Sequence, residues 1–144
     1  MDRGRPAVKA VVDTNVIAYL LLGTERFLDE ARSAMTAISM ALAPACWEAE
    51  LANVVWMAVR TGVLPPEEGP VRFSLARRLG IESVATTTLC QGALLRSVAS
   101  GVSVYDTLFV ELAIRERCPL ATFDKAVLKA FPEVAVRPGR LAER

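Results

Sequence analysis

Five short apolar runs alternate with longer stretches of helical periodicity, and this alternation is the tightest constraint on the fold of the chain. The runs are Val8 to Val12, Met40 to Ala43, Ile81 to Thr86, Leu120 to Phe123 and Val134 to Val136. Short apolar runs bounded by turn signals suit strands buried on both faces. Between them the sequence predicts helices over Val16 to Leu22, Thr24 to Ile38, Trp47 to Thr61, about Pro70 to Leu79, Thr88 to Ser100, Ser103 to Arg117 and Asp124 to Phe131. Strand–helix alternation builds βαβ units, so the expected class is α/β, with a mainly parallel central sheet and helices on both faces. At 144 residues, without repeats or a low-complexity linker, the chain reads as one domain with its core over about 8–138 and short polar termini.

Local signals set several boundaries. Gly23 and Gly62 follow apolar helical stretches and read as stops. Thr88 with Gln91, and Ser103 with Asp106, have the spacing of capping boxes. Gly69-Pro70 is expected to break any helix begun at Pro65, which places a turn there and a helix after it.

Composition narrows the chemistry. The chain has no histidine, which removes histidine general-base catalysis and an ordinary zinc hydrolase site. Formal net charge is +1, so any nucleic-acid site must be a local patch. Three widely spaced cysteines, Cys46, Cys90 and Cys118, form no CxxC pair and read as buried thiols of a reducing cytoplasm. No stretch reaches the roughly 18 uninterrupted apolar residues of a membrane span, and the basic N-terminus lacks the apolar segment of a secretory signal. The expectation is a cytoplasmic protein. Hydrophobic residues make up 53% of the chain, enough to leave apolar surface for a partner.

Two aspartates end strands: Asp13 after Ala10-Val11-Val12, and Asp124 after Leu120-Ala121-Thr122-Phe123. Ligands of an open parallel sheet bind beyond the carboxyl ends of its strands, so both belong to one edge. Glu50 and Asp106 fall near the first turns of their helices and can be brought to that edge, with Asn15, Asn53, Thr107 and Thr122 as short polar neighbours. Four acids together repel one another and resist burial. Hard cations such as Mg²⁺ or Mn²⁺ take oxygen ligands, offset that repulsion and activate water for attack on phosphorus. Singly, each acid has a plainer reading: Asp13, Asp106 and Asp124 as helix caps, Glu50 as a solvated residue favoured by the helix dipole. Asn53 lies on the face of Glu50 within an apolar stretch, where a buried amide needs a partner.

The order of four segments resembles the PIN-domain ribonucleases, most closely the VapC-like toxins of toxin–antitoxin pairs. They are Val11-Val12-Asp13-Thr14-Asn15-Val16, Pro44 to Val54 with Glu50-Leu51-Ala52-Asn53, Val104-Tyr105-Asp106-Thr107 through Ala113, and Pro119-Leu120-Ala121-Thr122-Phe123-Asp124. The resemblance implies a three-layer PIN-like fold and makes Asp13, Glu50, Asp106 and Asp124 the ligands of Mg²⁺ or Mn²⁺. Asn15 and Thr122 become supporting polar groups, and Asn53 holds the Glu50 helix. It also implies an RNA substrate, a homodimer or higher assembly, and a small antitoxin bound in or near the cleft. Glu48 is expected to face solvent, and Glu111 to be exposed or salt-bridged. Lys125 and Arg60 are candidates for RNA phosphates, against the plainer reading of solvated charges. Trp47, Trp56 and Met57 are candidates for an interface, with core packing expected for at least one. Three other readings stay open: an RNA-processing nuclease without an antitoxin, a PIN-like binding or assembly module with little activity, and a receiver-type signalling domain with Lys125 in the lysine role.

Overall fold

A computed structural model describes residues 8–143. The basic start of the chain, on which the secretory-signal reading rests, lies largely outside the described residues, as does the last residue of the polar tail. The strands are β1 (Lys9–Val12), β2 (Met40–Pro44), β3 (Glu82–Val84), β4 (Leu120–Ala121) and β5 (Ala135–Val136). The helices are α1 (Thr14–Leu22), α2 (Glu25–Ala37), α3 (Trp47–Arg60), α4 (Glu68–Leu75), α5 (Cys90–Ser100), α6 (Val104–Arg115) and α7 (Lys125–Ala130).

The sheet runs β3-β2-β1-β4-β5 with every pairing parallel. Its centre is the most apolar part of the chain: Val11, Val12, Leu120 and Ala121 are fully buried. A strand buried on both faces needs a helix layer on each side. The α5–α6 pair supplies one layer, with α6 lying on β1 and β2, while α1 packs against α2, α3 and α4. The result is the three-layer α/β arrangement expected from the sequence. From β1 the chain passes to β2 and β3 on one side, then crosses to β4 on the other. The order therefore reverses between β1 and β4, and a crevice opens beyond their carboxyl ends at such a point.

Several expectations are corrected. Gly69 and Pro70 do not break a helix; they sit in the first turn of α4. Proline is tolerated there because its missing N–H has no partner in that turn anyway. Gly69 is buried against α3, where an added Cβ would stand 3.1 Å from the Val59 side chain. The Thr88–Gln91 capping box does not form. Thr88 closes a 3₁₀ turn over Thr86–Thr88 by donating to the Ala85 carbonyl, and α5 opens one residue later from the buried Leu89. The polar tail after β5 is packed against the fold. It winds into a 3₁₀ helix at Pro138–Glu143, buries Leu141 and is clamped to α2. The clamp is Glu30, which accepts from Arg137 Nη2 at 2.8 Å and Nε at 3.2 Å, and from the Gly139 amide at 3.0 Å. The cysteines are free, but not all buried: Cys90 is exposed on α5, and Cys46 and Cys118 are half-buried. No single helix among the described residues is long and apolar enough to cross a membrane.

Candidate functional site

Asp13 is the first residue past β1 and stands at the N-cap of α1, yet its side chain makes no capping hydrogen bond. It turns instead toward β4. Thr122 Oγ1 donates to Asp13 Oδ2 at 2.8 Å, and Asn15 Nδ2 reaches the same oxygen at 3.4 Å. Asn15 also donates to Thr122 Oγ1 and accepts from the Phe123 amide, while Thr122 Oγ1 accepts from the Asp124 amide at 3.0 Å. The residues after β1 and those after β4 are thus laced together at the switch point.

Asp124 caps α7: its Oδ1 accepts from the amides of Ala126 and Val127 at 2.8 and 3.2 Å. Glu50, near the start of α3, accepts on Oε1 from Thr14 at 3.3 Å and from the Cys46 thiol at 3.6 Å. Asp106 accepts on Oδ2 from Ser103, which also takes the Asp106 amide to cap α6. One pattern runs through all four acids. The side-chain and capping donors to each acid fall on one of its two oxygens, and the Thr14 amide also bears on the Asp13 carboxyl.

A cleft of about 360 Å³ opens over these groups, lined by Asp13, Glu50 and Asp106 with Asn15, Tyr19 and Asn53 among its walls. Asp124 is not part of the lining, but its charge reaches Asp106. Burial pushes the Asp13 carboxyl up to about 7, against the Thr122 hydrogen bond and helped by the charges of Asp106 and Glu50. Burial raises Glu50, and the charge of Asp106 adds to it. Burial also raises Asp106, with Asp124 contributing. No lysine or arginine among the described residues forms an ion pair with any of the four.

The family model described as the PIN domain matches residues 10–135. The chain belongs to the PIN-domain family. No curated protein matches it. PIN domains are generally nucleases and typically use divalent metals. The donor set of this PIN domain suits such an ion. It is all carboxylate, the oxygens it offers are hard, and no ion pair among the described residues balances its repulsion. The acids are not closed into a finished cage: no three Asp, Glu, Cys or His side chains among the described residues stand in ready-made ligating geometry.

Other candidates part from expectation. Asn53 neither is buried nor holds α3, since it is exposed in the cleft with no hydrogen-bond partner among the described residues. Thr107 turns away from the acids and donates to the Ala93 carbonyl of α5. Arg60 ends α3, ten residues from Glu50 and about 15 Å along the axis, where its guanidinium lies over Trp56. It is not brought to the acids. Lys125 is exposed beside Asp124. Glu48 is half-buried, not fully turned to solvent. Glu111 is salt-bridged to Arg96 and Arg115. Trp47 packs in the core, while Trp56 and Met57 are exposed. Sequence reading passed over Thr14, Cys46 and Tyr19. The first two had a signal, adjacency to Asp13 and a four-residue step to Glu50; Tyr19 was hidden in an apolar run.

Proposed function

We propose that this PIN domain is a Mg²⁺- or Mn²⁺-dependent endoribonuclease that hydrolyses phosphodiester bonds of single-stranded or looped RNA, acting as the toxin of a toxin–antitoxin pair. The observation that carries the chemistry is the convergence of carboxylates with no ion pair to balance them among the described residues: Asp13, Glu50 and Asp106 line one cleft, and the charge of Asp124 reaches Asp106. Asp13, Glu50, Asp106 and Asp124 would hold the ion. Bound there, a divalent cation offsets their charge, acidifies a water and stabilises charge developing on the phosphate and the leaving oxygen.

The protein's own groups supply orientation. Thr122 and Asn15 fix the Asp13 carboxylate, and the backbone cap of α7 fixes Asp124. Thr14 and Cys46 do the same for Glu50. Raised carboxyl pKa values mark a site that holds its acids poorly without a counter-charge, which favours ion binding over a purely structural role. The open cleft admits a strand that can bend, which a duplex does less readily.

The toxin role rests on the sequence resemblance, as do the antitoxin and the homodimer. Cleavage of single-stranded, hairpin and duplex RNA, with matched DNA, tests the chemistry in Mg²⁺, Mn²⁺ and EDTA. The expected result is metal-dependent cut RNA and at least a hundredfold loss in Asp13→Asn and Asp106→Asn, the scale of catalysis these groups would supply. Unchanged cleavage by both variants removes the proposal. Expression of the wild type should arrest growth, with relief by a small co-encoded protein; robust cleavage without such toxicity would leave an RNA-processing nuclease instead.

A further inference from the structure

The cleft holds two groups that the carboxylate chemistry does not use. Tyr19 comes from α1 and Asn53 from α3, and both line it beside the acids. Asn53 is exposed with its amide unpartnered among the described residues, although it shares a helix face with Glu50. Tyr19 is half-buried and braced from behind. Its ring stacks on Phe27 with centroids 4.5 Å apart and 21° between planes, and meets Phe123 at 5.2 Å and 69°. Phe27 and Phe123 touch in turn at 4.9 Å. A tyrosine held by two phenylalanines is a rigid platform with little rotamer freedom left to lose on binding.

Charge decides what the platform suits. Tyr19 and Asn53 carry no charge, so the neutral part of a nucleotide is the part that this wall can take. Aromatic faces stack bases regardless of sequence, and an asparagine amide can donate to and accept from a base edge. Arg26, exposed and in no ion pair among the described residues, lies 5.2 Å from the centroid of Phe27, the ring stacked on Tyr19, and does not line the cleft. Arg137 covers Phe123 in the same way, but Glu30 already engages it twice. Tyr19 is six residues past Asp13, about 9 Å along α1, so the base it meets lies one to two nucleotides from the reacting phosphate.

Resting on the ribonuclease reading above, the geometry points to a base-binding subsite at the mouth of the cleft. Tyr19 stacks an unpaired base of single-stranded RNA, and Asn53 bonds its edge. These are positioning residues, and their loss acts on binding.

The test is RNA binding by fluorescence anisotropy on the Asp106→Asn background, so that the oligonucleotide stays intact. An eight-nucleotide single strand is compared with copies carrying one abasic position, walked along the strand. Tyr19→Leu should weaken binding about tenfold and Tyr19→Phe should leave it unchanged. One abasic position should weaken the parent protein's binding and remove the effect of Tyr19→Leu. Asn53→Ala, at an exposed side chain without a partner, leaves the fold undisturbed; it should change the preference among bases at that same position. Equal binding by Tyr19→Leu and its parent at every abasic position overturns the subsite and leaves the nuclease reading intact. Tyr19-dependent binding with no cleavage by the wild-type chain supports the subsite and overturns the nuclease reading. No binding by any variant overturns the subsite, and cleavage by the wild-type chain then decides the nuclease reading on its own.

Discussion

Asp13 is 6% exposed and faces other acids with no ion pair to balance it among the described residues. Its carboxyl titrates near 3.8 when free and about 7 in the folded chain, chiefly because burial disfavours the charge. Between those two values the folded state therefore holds a proton that the unfolded state has lost. The stabilising contribution of this group is complete below its unfolded value and is lost as pH rises through the folded one. Metal-free Asp13→Asn should accordingly melt higher than wild type at pH 8, by up to about 4 kcal/mol of stability, with the difference shrinking toward pH 4. Thermal melts at the two pH values check this. The same linkage makes ion binding expel a proton near neutrality, so Mn²⁺ affinity should tighten from pH 6 to pH 8. Titration calorimetry in two buffers of different ionisation enthalpy reads the released proton; equal heats in both would deny it. At this scale Asp13 and Asp124 were legible, since residues that end buried strands have only one edge to occupy, whereas Glu50 and Asp106 reach that edge through the packing of their helices. Asn53 was not, because an apolar sequence neighbourhood says nothing about which helix face borders an open cleft.

Elements show where packing overrides local signals. Thr88 looked like a helix cap, but burial of Leu89 moved the start of α5 and left Thr88 to close the preceding turn. Gly69-Pro70 looked like a break, but close approach of α4 to α3 uses the glycine and the first turn accepts the proline. Neither outcome is visible without the neighbouring helix. The α5–α6 seam makes the same point with a consequence for the site, because α6 carries Asp106. Glu111 is buried beneath α5, accepts from Arg96 at 2.6 Å and from Arg115 at 3.1 Å, and Arg115 also bonds the Thr88 carbonyl. Burial works to raise the Glu111 carboxyl, and the two arginines outweigh it and hold the group below its usual value. Gly92 makes this clasp fit: a Cβ there would collide with the Glu111 carboxylate. Gly92→Ala should thus destabilise the chain by about 1–3 kcal/mol, the usual cost of overpacking, despite alanine's better helix propensity. A urea melt measures it, and an unchanged or raised midpoint would contradict the fit. Glu111→Gln keeps the shape, removes the charge and should cost less than Glu111→Ala.

The topology of the molecule follows from its pattern of apolar runs. Five strands, all parallel, put the acids of distant segments at one switch point, and the alternation of runs was enough to expect this. What covers the outside was not legible, because an apolar residue on a helix reads alike whether it faces a core or a partner. The structure leaves α5 with Leu94, Leu95 and Val98 exposed, Val98 by 79%, and Tyr105 exposed at the start of α6. Leu94 and Val98 are one helical turn apart and Leu95 lies beside them, so they form a stripe and not scattered single residues. Trp56 and Met57 are exposed on a separate element, α3, beside the 380 Å³ apolar groove between α3 and α4. A chain of 15.6 kDa with this much apolar surface should self-associate, in line with the homodimer proposed above. Light scattering after gel filtration should then give about 31 kDa, twice the chain mass. Charge in the centre of the stripe removes apolar area and sets like charges against each other across a two-fold contact. Leu95→Glu with Val98→Glu should therefore return the monomer mass, while Trp56→Glu should not if α5 is the contact. A dimer that survives the α5 pair and dissociates with Trp56→Glu would place the contact on α3. A wild-type chain that runs at 15.6 kDa at every concentration would leave both surfaces to other partners.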